Sequence, residues 1–162
     1  MKISLTKPEI TQGALVGVMR QISAIALGRE QNHGADDFNA WHRHIEGALS
    51  EMAVAKAIDR YWSGTVHLID TADVSGHQVR ATQHKNGRLR THPKDSDNEW
   101  FILAVGQFGE YEIKGMLQGW AAKNQKYWCD PTGKNRPAFF APQEDLHPFD
   151  PEVLTDGKVL PA

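Results

Sequence analysis

Trp100-Phe-Ile-Leu-Ala-Val-Gly-Gln-Phe-Gly-Glu-Tyr-Glu-Ile-Lys-Gly-Met116 is the stretch on which the fold turns. Trp100 to Val105 is continuously apolar, as a central strand buried on both faces requires. Gly106-Gln-Phe-Gly109 has turn composition, and Tyr111 to Met116 follows as a second strand. Upstream, Gln78-Val-Arg-Ala-Thr82 alternates polar and apolar, and Leu89-Arg-Thr91 follows the turn Lys85-Asn86-Gly87-Arg88. Asn-Gly between two such runs predicts a hairpin. Val66 to Ile69 is a further short apolar strand candidate, and Phe139-Phe140 a last one. A short helix is expected over Leu117 to Asn124.

The chain before these strands has helical character. Thr6 and Glu9 form a capping-box pattern around Pro8. Ile10, Ala14, Leu15, Val18, Met19, Ile22 and Ile25 then recur at helical spacing as one apolar stripe, ending near Gly28. Arg29 to Ala40 is polar and loop-like. A second helix is expected from Phe38 or Trp41 to Trp62, with Ile45, Leu49, Met52 and Ile58 on its buried side. Glu51 lies on this helix between Ala48 and Ala55, on a face that other elements can approach closely. A carboxylate there needs a partner; Arg43, His44, Lys56 and Arg80 are the candidates. Two helices followed by a meander define an α/β or α+β domain with a mixed sheet.

The bulk numbers place few limits on function. A chain of 162 residues is one domain by default. We expect that domain over residues 1–145 and an acidic, proline-containing surface tail over 146–162. The single cysteine, Cys129, excludes an internal disulfide framework and a multi-cysteine zinc site. A cytoplasmic location is therefore expected. No stretch is apolar and long enough to span a bilayer, so no membrane partner is expected. The net charge of −2 gives no global argument for nucleic acid. Its distribution does: Arg80, Lys85, Arg88, Arg90 and Lys94 lie in a segment without acids, which suits phosphate contact or a charged, solvated edge strand equally.

The chemistry resides in Asp73-Val-Ser-Gly-His-Gln78-Val-Arg80. Residues two apart on a strand share a face, so Gln78 and Arg80 point the same way, with Asp73 entering beside them. Glu51 and Asp73 could seat a Mg²⁺ (or Mn²⁺) ion with help from the Gln78 amide oxygen, since such ions take oxygen ligands and keep several waters. Arg80 would then stabilise charge on a phosphoryl group. No His-x-x-x-His pair supports a zinc site, and no glycine-rich phosphate loop is present.

In this order and context, helix Glu51, Asp73 and Gln78-x-Arg80 resemble the PD-(D/E)XK nuclease superfamily, with its restriction-endonuclease-like mixed sheet flanked by helices. The chain looks most like a branch of small, phage-encoded members, through Gly47-Ala-Leu-Ser-Glu51-Met-Ala, Asp73 to Arg80, Gly87-Arg-Leu-Arg90, and Gly115 with Trp120. The likeness covers residues 41–145. It implies a Mg²⁺-dependent deoxyribonuclease acting in the host-cell cytoplasm, with Glu51, Asp73 and Gln78 around the metal and Arg80 as the basic partner. Lys85, Arg88, Arg90 and Lys114 would hold the DNA backbone. Two departures stand out: Gln78 where glutamate is commoner, and Arg80 where lysine is commoner. Gln78 removes a charge from the metal site, and Arg80 stays protonated near neutral pH and is no general base. The departures are compatible with an active variant. They are equally compatible with an inactive accessory protein that binds DNA or a host protein. Oligomeric state is not legible.

Overall fold

The structure, a computed structural model, describes residues 1–28, 37–66, 73–131, 133 and 135–156. In chain order the elements are β1 (Lys2–Ser4), α1 (Lys7–Ala26), α2 (Asp37–Ala57), β2 (Gln78–Thr82), β3 (Leu89–Thr91), β4 (Trp100–Gln107), β5 (Glu110–Gln118), α3 (Gly119–Ala122), β6 (Trp128–Cys129), β7 (Ala138–Ala141) and α4 (Pro151–Asp156). The architecture is mixed α and β, with two sheets. The first has the order β1-β5-β4-β2 and is itself mixed, because β2 runs parallel to β4 while the other pairs are antiparallel. The second has the order β3-β7-β6 and is antiparallel.

β4 carries both cores. Its Ile102 and Ala104 join Val79, Ile113 and Met116 against α2, through Ala48, Leu49, Met52 and Ala53. Its Phe101, Leu103 and Val105 face the other way, against Leu89, Tyr127, Phe139 and Ala141 of the second layer. That two-sided burial is what the unbroken apolar run required. β4 and β5 pair as expected, with a bulge that leaves Lys114 unmatched between Gly115 and Ile113.

Three expectations are corrected. The first is the hairpin. The turn is present, with the Gly87 N–H donating to His84 O at 2.8 Å, but the strands it joins lie in different sheets. β2 takes β4 as a parallel partner, while β3 sends Leu89 into the second core and pairs with β7. Second, α2 stops at Ala57 instead of Trp62. Asp59 adopts a left-handed φ of 50°, and the Arg60 N–H turns back to Ala55 O at 2.9 Å.

Third, the stretch after Asp145 does not simply lie on the surface. His147 forms a two-bond bridge with Met116, and Val153 and Leu154 are buried in the helix-side core. Gly115 is required there, because a Cβ at this position would meet His147 O at 2.5 Å. α1, whose periodicity left open which face it would bury, turns its small residues inward. Its buried residues are Gly13, Gly17, Gln21 and Ala24, while Leu15, Met19, Ile22 and Ile25 are exposed. A Cβ on Gly17 would land on the Ile45 backbone, so glycine lets the two helix backbones nearly touch.

The Leu117–Asn124 helix is shorter than expected, only α3, and is followed by a 3₁₀ turn at Gln125–Tyr127. The strand expected at Val66 to Ile69 falls outside the described residues except for Val66, which is not in a strand. The Arg29–Ala40 loop also lies largely outside them, and α2 begins at Asp37.

Candidate functional site

Three separate pieces of chain converge beside the N-terminal end of β2. α2 supplies Glu51, which is buried with only 6% exposure. Its partner is none of the four candidates expected from the sequence. Arg20 of α1 donates to Oε1 at 2.6 Å and to Oε2 at 2.8 Å, a two-point clamp. The Trp62 indole adds a third donor to Oε2 at 3.2 Å. Arg20 is itself anchored by Nε donating to Thr65 O at 2.9 Å.

The second piece is the tight turn before β2. Ser75 and Gly76 both have positive φ, and the Asp73 N–H donates to His77 O at 2.9 Å. The turn brings Asp73 Oδ2 to the Val79 N–H at 2.8 Å. Burial first, and the Glu51 charge second, push the Asp73 carboxyl up to about 6. The Val79 hydrogen bond, Arg80 and Arg20 act in the opposite direction.

The third piece is the outward face of β2. Gln78 and Arg80 share it, as strand alternation dictates. Arg80 Nη1 donates to Gln78 Oε1 at 3.2 Å and lies 3.9 Å from Asp73 Oδ2. Its Nη2 donates to Asp95 Oδ2 at 3.2 Å, and its guanidinium stacks over Phe101. Asp95 is held in turn by the His92 N–H at 2.9 Å.

Of the expected DNA-backbone contacts, only Arg90 belongs here. It is half-buried, and burial together with the charges of Arg80 and Arg43 holds it below the usual guanidinium range. Lys85 and Arg88 are exposed at the other end of β2; Arg88 lines a shallow pocket with Asn86, Pro142, Gln143 and Glu144. Lys114 lies two strands away on β5, roughly 10 Å across the sheet, and pairs with Glu112 at 2.6 Å. Lys123 and Lys126, close in sequence to Trp120 and Trp128, are paired with Asp97 and Asp145.

Sequence reasoning missed Arg20 and Asp95 as members of the cluster, and named Arg43 and His44 only as possible partners of Glu51. Arg20 had a signal: it is the one charge within an otherwise uncharged run of α1 after Glu9. His44 and His92 both titrate below the ordinary range, burial being the largest cause and nearby guanidinium groups the next. The site thus combines Arg20, Arg43, Arg80 and Arg90 with Glu51, Asp73 and Asp95. An excess of positive charge around a pair of mutually repelling carboxylates suits a polyanion met through a cation.

Glu51, Asp73 and Gln78 carry oxygen donors of the kind a hard divalent cation takes, although both Glu51 oxygens already accept hydrogen bonds from Arg20. Asp73 is raised by burial first and by the Glu51 charge second, and a cation near both carboxylates would relieve that second effect. Gln78 adds one neutral oxygen. Among the described residues no group of three or more His, Cys, Asp or Glu side chains could hold a metal ion. Also among the described residues, no helix is long and apolar enough to cross a membrane. A scan against family models, a search of curated proteins and a search of solved structures each returned no match.

Proposed function

We propose that the chain is a metal-dependent phosphodiesterase acting on DNA, with a restriction-endonuclease-like core formed by the mixed sheet and α2. The observation that carries this reading is Asp73: a buried carboxylate raised by Glu51 and set 3.9 Å from the Arg80 guanidinium. Glu51, Asp73 and the Gln78 amide oxygen would hold Mg²⁺ or Mn²⁺. The bound ion supplies Lewis acidity and a water of lowered pKa.

The remaining work falls to the chain itself. Arg80, held in plane by Gln78, Asp95 and Phe101, directs its charge at the phosphoryl group. It keeps its proton throughout, so it stabilises charge and removes none. Arg90 and Arg43 extend the positive surface along which a backbone would lie. Asp73, through the Val79 N–H, keeps one oxygen fixed and leaves the other free to ligate.

One observation favours a second reading. Arg20 already occupies both oxygens of Glu51, an arrangement that also suits a nuclease-like protein that binds DNA, or a host protein, without cutting. Incubation of the protein with linear, circular and branched DNA and Mg²⁺ or Mn²⁺ separates the two. Cleavage lost with EDTA and in Asp73→Ala is the expected result. Salt-sensitive binding with no cleavage by either metal, in folded protein, would leave the second reading standing.

A further inference from the structure

The outer face of α1 is an anomaly for a helix at the protein surface. Leu15, Met19, Ile22, Ile25 and Leu27 are each more than half exposed. An amphipathic helix buries its large apolar side chains and turns polar ones to water. α1 does the reverse, because its glycine face is committed to α2.

The exposed stripe has order. Leu15, Met19 and Ile22 are spaced four and three residues apart, the a and d spacing of two helices packed side by side, with Ile25 one turn further on. It also carries no charge. Lys7 and Glu9 sit in the first turn, where Glu9 is tied to Lys56, and Arg20 turns inward to Glu51. A membrane-surface helix would flank its apolar face with lysine or arginine, and this one does not. A charged partner would find nothing to pair with. A copy of the same stripe meets neither obstacle, since an uncharged apolar face is complementary to itself about a twofold axis.

The area is adequate. The five side chains offer on the order of 500 Å² per copy, or about 1,000 Å² across a symmetric pair, the lower bound for a specific complex.

We propose that this face of α1 docks against α1 of a second copy of the chain. The pairing is independent of whether the site cleaves DNA. Sedimentation equilibrium of the full chain at tens of micromolar should give twice the chain mass, relaxing to the monomer on dilution. Ile22→Glu should be monomeric at the same concentration, with the same circular dichroism and the melting temperature of the diluted wild type. A wild-type chain that is monomeric throughout, or an Ile22→Glu chain that still pairs, would overturn the proposal. Should Ile22→Glu fail to fold, Met19→Cys with Ile22→Cys in a Cys129→Ser background provides a second test. Oxidation should cross-link two copies, through like positions if the helices run parallel and unlike positions if antiparallel. Absence of any cross-link would equally overturn it.

Discussion

Arg20 and Glu51 constrain each other more tightly than any other pair at the site. Both Glu51 oxygens are engaged and the carboxylate is almost fully buried. Removing the guanidinium leaves a buried, uncompensated charge. Arg20→Gln should therefore destabilise the fold by about 3 kcal/mol in urea unfolding, and adding Glu51→Gln should recover part of the loss. If the double variant is no better than the single one, the clamp is not what holds Glu51 in place.

Asp73 makes a prediction of its own. Its carboxyl rises from 3.8 to about 6 in the folded chain. Between those values the folded state keeps a proton that the unfolded chain has lost. Stability should then fall as pH rises through that window and level off above it, by on the order of 1–3 kcal/mol. Asp73→Asn, which keeps an acceptor for the Val79 N–H, should flatten the drop. An unchanged slope in the variant would assign it to another group. At this scale part was legible: Asp73, Gln78 and Arg80 lie together, and the charge of Glu51 acts on Asp73. Asp73 also serves the turn that carries it, because Oδ2 closes that turn onto the Val79 N–H.

Among the elements, the α1–α2 pair teaches most. The periodic stripe of α1 predicted a helix correctly, but not the face it would bury. Two glycines four residues apart admit a neighbouring backbone, and that close packing outweighs the transfer of larger side chains. Gly17→Ala should accordingly cost about 1–3 kcal/mol by overpacking against Ile45, despite the better helix propensity of alanine. Gly47 of α2 is the control, since a Cβ there meets nothing within 4 Å. Gly47→Ala should raise stability by about 0.5–1 kcal/mol. Thermal melts of both variants check the contrast, and a loss at both positions would mean that spacing between the helices is not the issue. The α1 N-terminus was readable in full: Thr6 and Glu9 form the capping box, and Lys56 at 2.8 Å helps pull Glu9 down to about 2.

For the whole molecule, the two cores share β4 and the C-terminal stretch fastens the first sheet. His147 bridges Met116, and Leu154 packs into the same core as α2 while its carbonyl lies 3.0 Å from His77 Nε2. The turn that carries Asp73 is thus braced by the far end of the chain. Leu154→Ala should destabilise the fold by about 2–4 kcal/mol in chemical denaturation, as a surface tail would not. A change within about 0.5 kcal/mol would return this stretch to the surface. Composition alone hid it: Pro148, Asp150, Pro151 and Asp156 break up the segment, and two apolar residues in a row are too short a signal to mark burial.

By itself the sequence determined what local periodicity and turn chemistry can carry: α1 and the greater part of α2, the β4–β5 pair, and a shared face for Gln78 and Arg80. These follow from spacings of two and about 3.6 residues, set by backbone geometry wherever the segment lies. Only the tertiary structure decided the parallel pairing of β2 with β4, the inward face of α1, and the clamps of Arg20 on Glu51 and Asp95 on Arg80. Each is a choice among partners far apart in the chain. Such choices rest on which surfaces fit and which buried charges find an opposite, and neither is encoded in a local pattern.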